Sequence, residues 1–556
     1  MDNKIKITFE TGNTEYYPAG ISILELSKIF QVNKSNPIIA AKINNVCYRL
    51  DDKVYKDSTI IFIDNNDLEG HAMYKSGLKF VLYVAVKELF GPKSDVIFYN
   101  SIDKGVYTKI ICDEEVNAAL IQKIKLKTDE LIAADLPIAK QLVKNHQAID
   151  YHNAINETEK AGNVENTTND VVTLYRLKNY NNYFYTDMPT STGVLKQYDL
   201  TLVNTNHIVL RYPTPRSNDL IPEYKHYPKT LESFEKHRNW LETINVPYLA
   251  NLNVIVANCK IKEFILMNHI ITENQFYKIA ENIANQNKIN KIKAIFIAGP
   301  SSSGKTTSSK KIAIHLKTFG LNSFLLSADD FYKERLDTPK LPNGEFDFES
   351  IEALDLELLK TVLNKLMNFE EIQIPSYNFF TGKKEFKNNP VKLNEKDVII
   401  IEGLHCMNNQ ITDMISKESQ YKIYISPFPG LNIDRHNYIS SVDLRLIRRI
   451  VRDNVYRGYK VEKTMGMWQT VREGEEKHVF PYQDQADEIL NTALIYEIGV
   501  LRVFAEPLLS SVPVTSIFYQ EARRLLGFLR GFFPISPEYV SRDTVLREFI
   551  GDSIFS

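Results

Sequence analysis

The residues with the most demanding spacing in this chain are Gly299-Pro300-Ser301-Ser302-Ser303-Gly304-Lys305-Thr306. Glycines at both ends let the backbone curl until successive N–H groups converge, and a helix opening at the second glycine adds the partial positive charge of its first turn. Such a nest holds anionic oxygens. The G-x-x-x-x-G-K-[ST] spacing further supplies a lysine for the outer phosphates of a nucleoside triphosphate and a hydroxyl for Mg²⁺. Gly299, Ser301, Ser302, Ser303, Gly304, Lys305, Thr306 and Thr307 are therefore expected to bind ATP, with Lys305 on the transferred phosphate and Thr306 on the metal.

Two acidic sites follow. The apolar run Phe324 to Leu326 leads into Ser327-Ala328-Asp329-Asp330, and Val398 to Ile401 ends in Glu402. Open parallel sheets bind ligands at the carboxyl edge of their strands, so both runs would deliver carboxylates to one rim. Phosphoryl transfer to an alcohol needs a carboxylate that orients the hydroxyl and takes its proton, which makes Asp329 the expected base. Capping of the next helix is the plainer use of an aspartate there. Glu402 is the expected partner of the Mg²⁺ water shell.

In Asp443 to Asp453, Arg445, Arg448, Arg449 and Arg452 recur at i, i+3, i+4 and i+7, on one helical face, while Leu444, Ile447 and Val451 form another stripe. Like charges so spaced repel, and a polyanionic ligand would compensate them. The spacing predicts an arginine face turned to solvent or a cleft, able to close over the phosphates; a merely solvated basic face is the alternative.

Positioning these residues requires a parallel sheet. Strand-like runs at Ala294 to Ala298, Phe324 to Leu326, Val398 to Ile401 and Ile423 to Ile425 are separated by helical segments, one of them carrying Ile312, Leu316 and Phe319 with Gly320 as its stop. This is an α/β pattern, preceded by two smaller α+β regions. Residues 4 to 66 alternate at Ile5-Ile7-Phe9, turn helical from Ile23 to Phe30 and end in the apolar Ile60 to Ile63. A second region, 67–220, opens with helical Leu78, Leu82, Val86 and Leu89, and its polar stretch Asn153 to Asp170 reads as an exposed loop. A connector, 221–290, places Phe276, Ile279, Ile283 and Ile289 at helical intervals, and 511–556 reads as a further helical segment.

Bulk properties narrow the classes. With 556 residues, several domains are expected. With 67 Lys plus Arg against 69 Asp plus Glu, nothing favours non-specific binding to nucleic acid or anionic lipid. The longest apolar stretches are too short to span a bilayer, the amino terminus has no long apolar core of a signal peptide, and a cytoplasmic location is expected. Cys47, Cys112, Cys259 and Cys406 lack metal or disulfide spacing and read as buried, reduced thiols.

The residues now quoted, together with GEFDFESIEALD at 344–355, IPSYNF at 374–379, IIIEGLH at 399–405 and DLRLIRRIVRDNVYRG at 443–458, resemble the uridine kinase and phosphoribulokinase group over roughly 290–510. The resemblance implies a P-loop NTPase kinase fold at 291–510 using ATP and Mg²⁺. It places Asp329 as catalytic aspartate, Glu349 on the ribose hydroxyls, Tyr377 against the nucleoside, and Arg449 and Arg452 in the substrate and phosphate lid. Gly382, Met467 and Tyr459 stand where that group has a base-reading histidine, a glutamine and an arginine, so the acceptor is left open. Residues 1–66 resemble a TGS β-grasp domain, and 67–220 the editing-like second domain of threonyl-tRNA synthetase; the latter's metal and proton-transfer positions become Ser76, Phe80, Phe184 and Met188, so editing is not expected. The whole arrangement, including Arg547 to Gly551, resembles a bacterial nucleoside kinase family.

The expected activity is ATP-dependent phosphorylation of a hydroxyl on a nucleoside-like small molecule. Two alternatives stand beside it: an ATP-gated RNA- or ribosome-binding regulator working through the amino-terminal domains, and a kinase acting on a phosphorylated sugar. Self-association is left open.

Overall fold

Ala294–Ala298 is buried at every position, which requires a strand covered on both faces. In the computed structural model, which describes residues 4–31, 36–215, 217, 220–341, 344–379, 381–386 and 389–555, it is the central strand of five. We label them β1 (Ala294–Ala298), β2 (Asn322–Ser327), β3 (Asp397–Glu402), β4 (Gln420–Ser426) and β5 (Glu488–Asn491). All run parallel, in the order β2-β3-β1-β4-β5. The chain therefore contains the expected α/β kinase-type sheet, with smaller α+β sheets before it.

Alternate residues of β1 serve two cores. Ile295 and Ile297 join one that runs from Leu241 in the connector through Ile312 and Leu316 to Leu546 and Phe549 near the carboxyl end. Ala294, Phe296 and Ala298 join the other, which includes Leu326, Ile399, Ile401 and also Ile97, Tyr99, Tyr107 and Val209 from the second region. The sheet's hydrophobic support thus comes from well outside 291–510.

The amino-terminal sheet is mixed and five-stranded, with Lys4–Phe9 paired in parallel with Ser58–Ile63 and turning Ile5, Ile7 and Phe9 inward. Ser22 and Glu25 cap the helix Ile23–Phe30 reciprocally. The second region packs the helix Leu68–Phe90 on a four-stranded antiparallel sheet and carries a separate three-stranded sheet.

Two expectations are corrected. The stretch 153–170 is no exposed loop: it holds the end of the helix Asn145–Ala154 and the helix Thr158–Glu165, with Glu157, Glu159 and Lys160 buried. Its charges read as solvent-facing because their partners are remote. Lys160 Nζ lies 3.0 Å from Glu157 and 2.5 Å from His436 Nδ1, and Arg435 lies 3.4 Å from Glu159. The helical intervals at Phe276, Ile279, Ile283 and Ile289 fall on the helix Ile261–Asn290, where the first three are buried and Ile289, in the last turn, is 82% exposed. Of the cysteines, all free, Cys406 alone is buried; Cys259 is exposed in the turn between two helices, at φ +57°.

No helix among the described residues is long and apolar enough to cross a membrane.

Candidate active site

The phosphate loop follows β1 directly, and the helix Lys305–Thr318 opens behind it. Gly304, at φ +87°, reaches a conformation that a side chain would strain. A Cβ on Gly299 would collide with the carbonyl oxygen of Ile425 in β4, so only glycine lets the loop leave between these strands. The helix ends as expected, with Gly320 at φ +78° just beyond it.

The loop's carbonyls are tied back from behind. Ser301 O accepts from Arg445 Nη1 at 3.2 Å, Ser302 O from Arg448 Nη1 at 3.3 Å and Ser303 O from Thr492 Oγ1 at 2.6 Å. Holding negative oxygens on that side leaves the mouth to donors. Ser302 Oγ and Ser303 Oγ are buried without a hydrogen-bond partner among the described residues. Orphaned hydroxyls in a nest of this kind fit the oxygens of a phosphate chain.

Register fixes the acids. Glu402, the last residue of β3, lies opposite Ser327 of β2 and Ile297 of β1. Its Oε1 accepts from Thr306 Oγ1 at 3.3 Å and Ser327 Oγ at 3.4 Å, so the two residues expected to serve Mg²⁺ already meet. A hydroxyl and a carboxylate are hard oxygen donors of the kind Mg²⁺ takes. Burial, with Asp329 next, pushes the Glu402 carboxyl up to about 7 against the pull of Lys305.

Of the aspartate pair, Asp330 accepts from the Tyr377 N–H at 3.2 Å and so ties this segment to the strand Pro375–Asn378. Asp329 remains exposed to the cleft. The protein walls around it raise its pKa, opposed chiefly by the charge of Lys305 and less by Arg452. Lys305 Nζ itself donates to Gly299 O at 3.0 Å and Pro300 O at 3.2 Å.

Glu349 faces the same space. Burial, then Glu475, pushes its carboxyl up to about 8, with Arg449 opposing. The helix Val461–His478 lies directly on it: a Cβ on Gly474 would strike Glu349 Cβ. Tyr377, 5% exposed and with an unpartnered hydroxyl among the described residues, forms an aromatic wall with Tyr332 at 5.7 Å and Phe379 at 5.0 Å between ring centroids.

Of the four arginines that the periodicity turns to solvent or a cleft, two on the helix Ser441–Arg457 turn inward instead. Arg445 and Arg448 are buried, paired with Glu475 (Nη2 to Oε2, 2.9 Å) and with Glu497 (Nε to Oε2, 2.8 Å). These carboxylates come from other helices and neutralise the charge that the sequence pattern left open. Arg449 and Arg452 stay nearer the cleft. Arg449 Nη1 donates to Ser301 Oγ at 3.0 Å, and Asp453 lies 3.4 Å from Arg449 and 3.1 Å from Arg452.

The Phosphoribulokinase / Uridine kinase family profile matches residues 294–495. A uridine kinase of Staphylococcus epidermidis is 31% identical over 206 residues, which are 36% of this chain and 88% of that protein. The chain belongs to the phosphoribulokinase/uridine kinase family. A uridine kinase of Halobacterium salinarum is 28% identical over 200 residues, 35% of this chain and 79% of that protein. Among solved structures, a D-glycerate 3-kinase from Cryptococcus neoformans is 16% identical, with 46% of this chain and 87% of that one covered and a TM-score of 0.22.

Within this phosphoribulokinase/uridine kinase domain, Gly382, the position that the resemblance sets against a base-reading histidine, is crowded by Arg335. The glycine adopts φ +71°, and a Cβ there would meet Arg335 Nε at 2.8 Å. Arg335, anchored through Nη2 on Phe379 O at 2.8 Å, fills that volume and brings a cation toward Tyr377. The sequence reading missed Arg335 because an isolated arginine in a loop carries no pattern. It also missed Glu475, whose Oε1 accepts from the Ser301 N–H at 2.8 Å.

Other groupings of potential metal ligands are already filled by lysine. Lys160 sits among Glu157 and His436, and Lys311 bridges Glu273 at 2.5 Å and Asp543 at 2.8 Å. A cleft of about 230 Å³ lined by Tyr99, Tyr107, His207 and Arg238 lies away from the phosphate loop, and no sequence-predicted site residue borders it.

Proposed function

We propose that this family member transfers a phosphoryl group from ATP to a hydroxyl of a nucleoside-like small molecule, with Asp329 as the base. The observation that carries the reading is that Thr306, next to Lys305, and Ser327, two residues before Asp329, both donate to Glu402 at the mouth of the phosphate loop, at 3.3 and 3.4 Å. The loop residues Gly299, Ser301, Ser302, Ser303, Gly304, Lys305, Thr306 and Thr307 would hold ATP, and Thr306 and Glu402 would hold Mg²⁺. Bound MgATP supplies the phosphoryl group and neutralises the charge that develops on its oxygens.

The chain's own residues do the rest. Asp329 accepts the acceptor's hydroxyl proton as the new O–P bond forms and the bond to the departing ADP breaks. Glu349, kept protonated to about 8, can donate as well as accept a hydrogen bond and so suits paired sugar hydroxyls. Tyr377, Tyr332 and Phe379 give a flat ring an apolar wall, while Arg449 and Arg452 face the transferred charge. ADP release from the purified protein, screened against nucleosides and sugar alcohols, tests the reading; no stimulation by any of them rejects it.

A second acceptor class is favoured by one observation. Arg335 places a cation where the resemblance implied a base-reading histidine, which suits an acceptor carrying an anionic group, such as a phosphorylated sugar. Including sugar phosphates in the screen separates the two.

The amino-terminal regions we read as a TGS-like β-grasp domain, 1–66, and an editing-like domain, 67–220, joined by 221–290 to the kinase, 291–510, and followed by 511–556. In the second region Ser76, Phe80, Phe184 and Met188 are buried, with the Phe80 and Phe184 rings 5.7 Å apart. That environment supports packing rather than editing chemistry. RNA binding through residues 1–220 would show steep salt dependence, and its absence would dispose of the regulator reading. A cytoplasmic location belongs with the kinase reading.

A further inference from the structure

Thr307 lies in the first turn of the phosphate-loop helix, and its two donors are engaged by the chain itself. Its N–H donates to Glu548 Oε2 at 3.0 Å and its hydroxyl to the same oxygen at 2.7 Å. An amide and a hydroxyl in the first turn of a helix are what a phosphate oxygen accepts from. Here a carboxylate oxygen takes both.

The segment bearing Glu548 is seated on the loop. Val545 packs so closely on Gly304 that a Cβ there would collide with Val545 Cγ1. Asp543 lies 2.8 Å from Lys311 of the same helix, and Lys310 Nζ donates to Phe555 O. Arg547, itself buried, donates through Nη2 to Val540 O at 2.7 Å and Pro537 O at 2.8 Å, which holds the segment's turn closed. Phe549 is buried with the Arg448 guanidinium 4.8 Å from its ring centre. Glu548 is the one member of this docked segment that puts a full negative charge on a phosphate-loop donor.

We propose that residues 541–555 form a self-inhibitory strap in which Glu548 competes with a nucleotide phosphate for Thr307. ATP then binds at the expense of the Glu548 contacts. The inference rests on the reading of Gly299–Thr307 as the ATP site.

Titration of the full chain with a fluorescent ATP analogue in the presence of Mg²⁺ tests it. Glu548→Gln, which keeps the shape and removes the charge, is expected to tighten binding by about tenfold or more, as loss of a charged competitor for two donors implies. Unchanged or weaker binding overturns the strap. Lys305→Ala is the control for the site: if it binds the analogue as the unaltered protein does, the ATP reading fails, whereas weakened binding there with no gain in Glu548→Gln sinks the strap alone. Hydrogen exchange of the unaltered protein gives a second decision that needs no variant to fold. Saturating ATP is expected to speed exchange in 541–555; equal or slower exchange means that the segment stays in place and the proposal is wrong.

Discussion

At the scale of single residues, the site's carboxylates differ in task because their surroundings differ. Asp330 is committed to the Tyr377 N–H, whereas Asp329 remains open to the cleft. Asp329→Asn should therefore lower turnover by about 10²–10⁴-fold with little change in thermal stability, measured as ADP formation with the best acceptor. Asp330→Asn should loosen the strand Pro375–Asn378 and raise the acceptor's KM instead. Glu349 gives a pH signature. Its carboxyl is held at about 8 against an ordinary 4.5, so its contribution to folding is fully present below the ordinary value and is lost as pH rises through 8, where the folded form must at last ionise. Denaturant unfolding of the unliganded protein should show this loss, and Glu349→Gln should flatten it. For Glu402 the same direction of shift, to about 7, has a binding consequence: the proposed Mg²⁺ site needs the carboxylate, so metal affinity should climb through neutral pH and Glu402→Gln should abolish that climb, read by calorimetry with MgATP.

At the scale of elements, what was legible in the sequence was local. The strand before the phosphate loop, the helix after it and the glycine stop at Gly320 all follow from spacings of a few residues, and they stand where the pattern put them. The arginine helix was legible as a helix, but not which of its arginines turn inward. Its orientation is set by Glu475 and Glu497, which lie 30 and 49 positions from Arg445 and Arg448, and no periodicity reports a partner at such range. Arg445 and Arg448 brace the loop's carbonyls, while Arg449 and Arg452 remain near the cleft. Glu475→Gln should accordingly destabilise the protein by about 3–5 kcal/mol, because it leaves the Arg445 charge buried without its carboxylate. The denaturation midpoint reads this directly. A change below about 1 kcal/mol would mean that the Arg445 charge is solvated or shared by other groups.

At the scale of the whole molecule, the kinase is held from both sides by segments that the sequence presented as separate. A hairpin of strands Asn432–Asp434 and Asn437–Tyr438 carries His436 into the second region, where its Nε2 lies 3.0 Å from Asp95 and its ring 4.6 Å from that of Tyr83. The contact crosses 341 positions, beyond the reach of any local pattern. The carboxyl-terminal residues complete the core on the opposite side. Leu525, Leu526, Leu529, Phe532, Leu546 and Phe549 are each at most 1% exposed and share a core with Ile295, Ile297 and Ile312. Burying such side chains contributes about 1.5–3 kcal/mol each, so losing the set would cost about as much as a domain's entire stability of roughly 5–15 kcal/mol. A fragment cut at 291–510, though it contains the whole family match, should then lack a cooperative thermal transition and bind a hydrophobic dye, while the full chain melts with the second region and the kinase in one step. A soluble fragment with native-like cooperativity would show that the extended core is dispensable and that the flanking segments are held on the kinase for regulation alone.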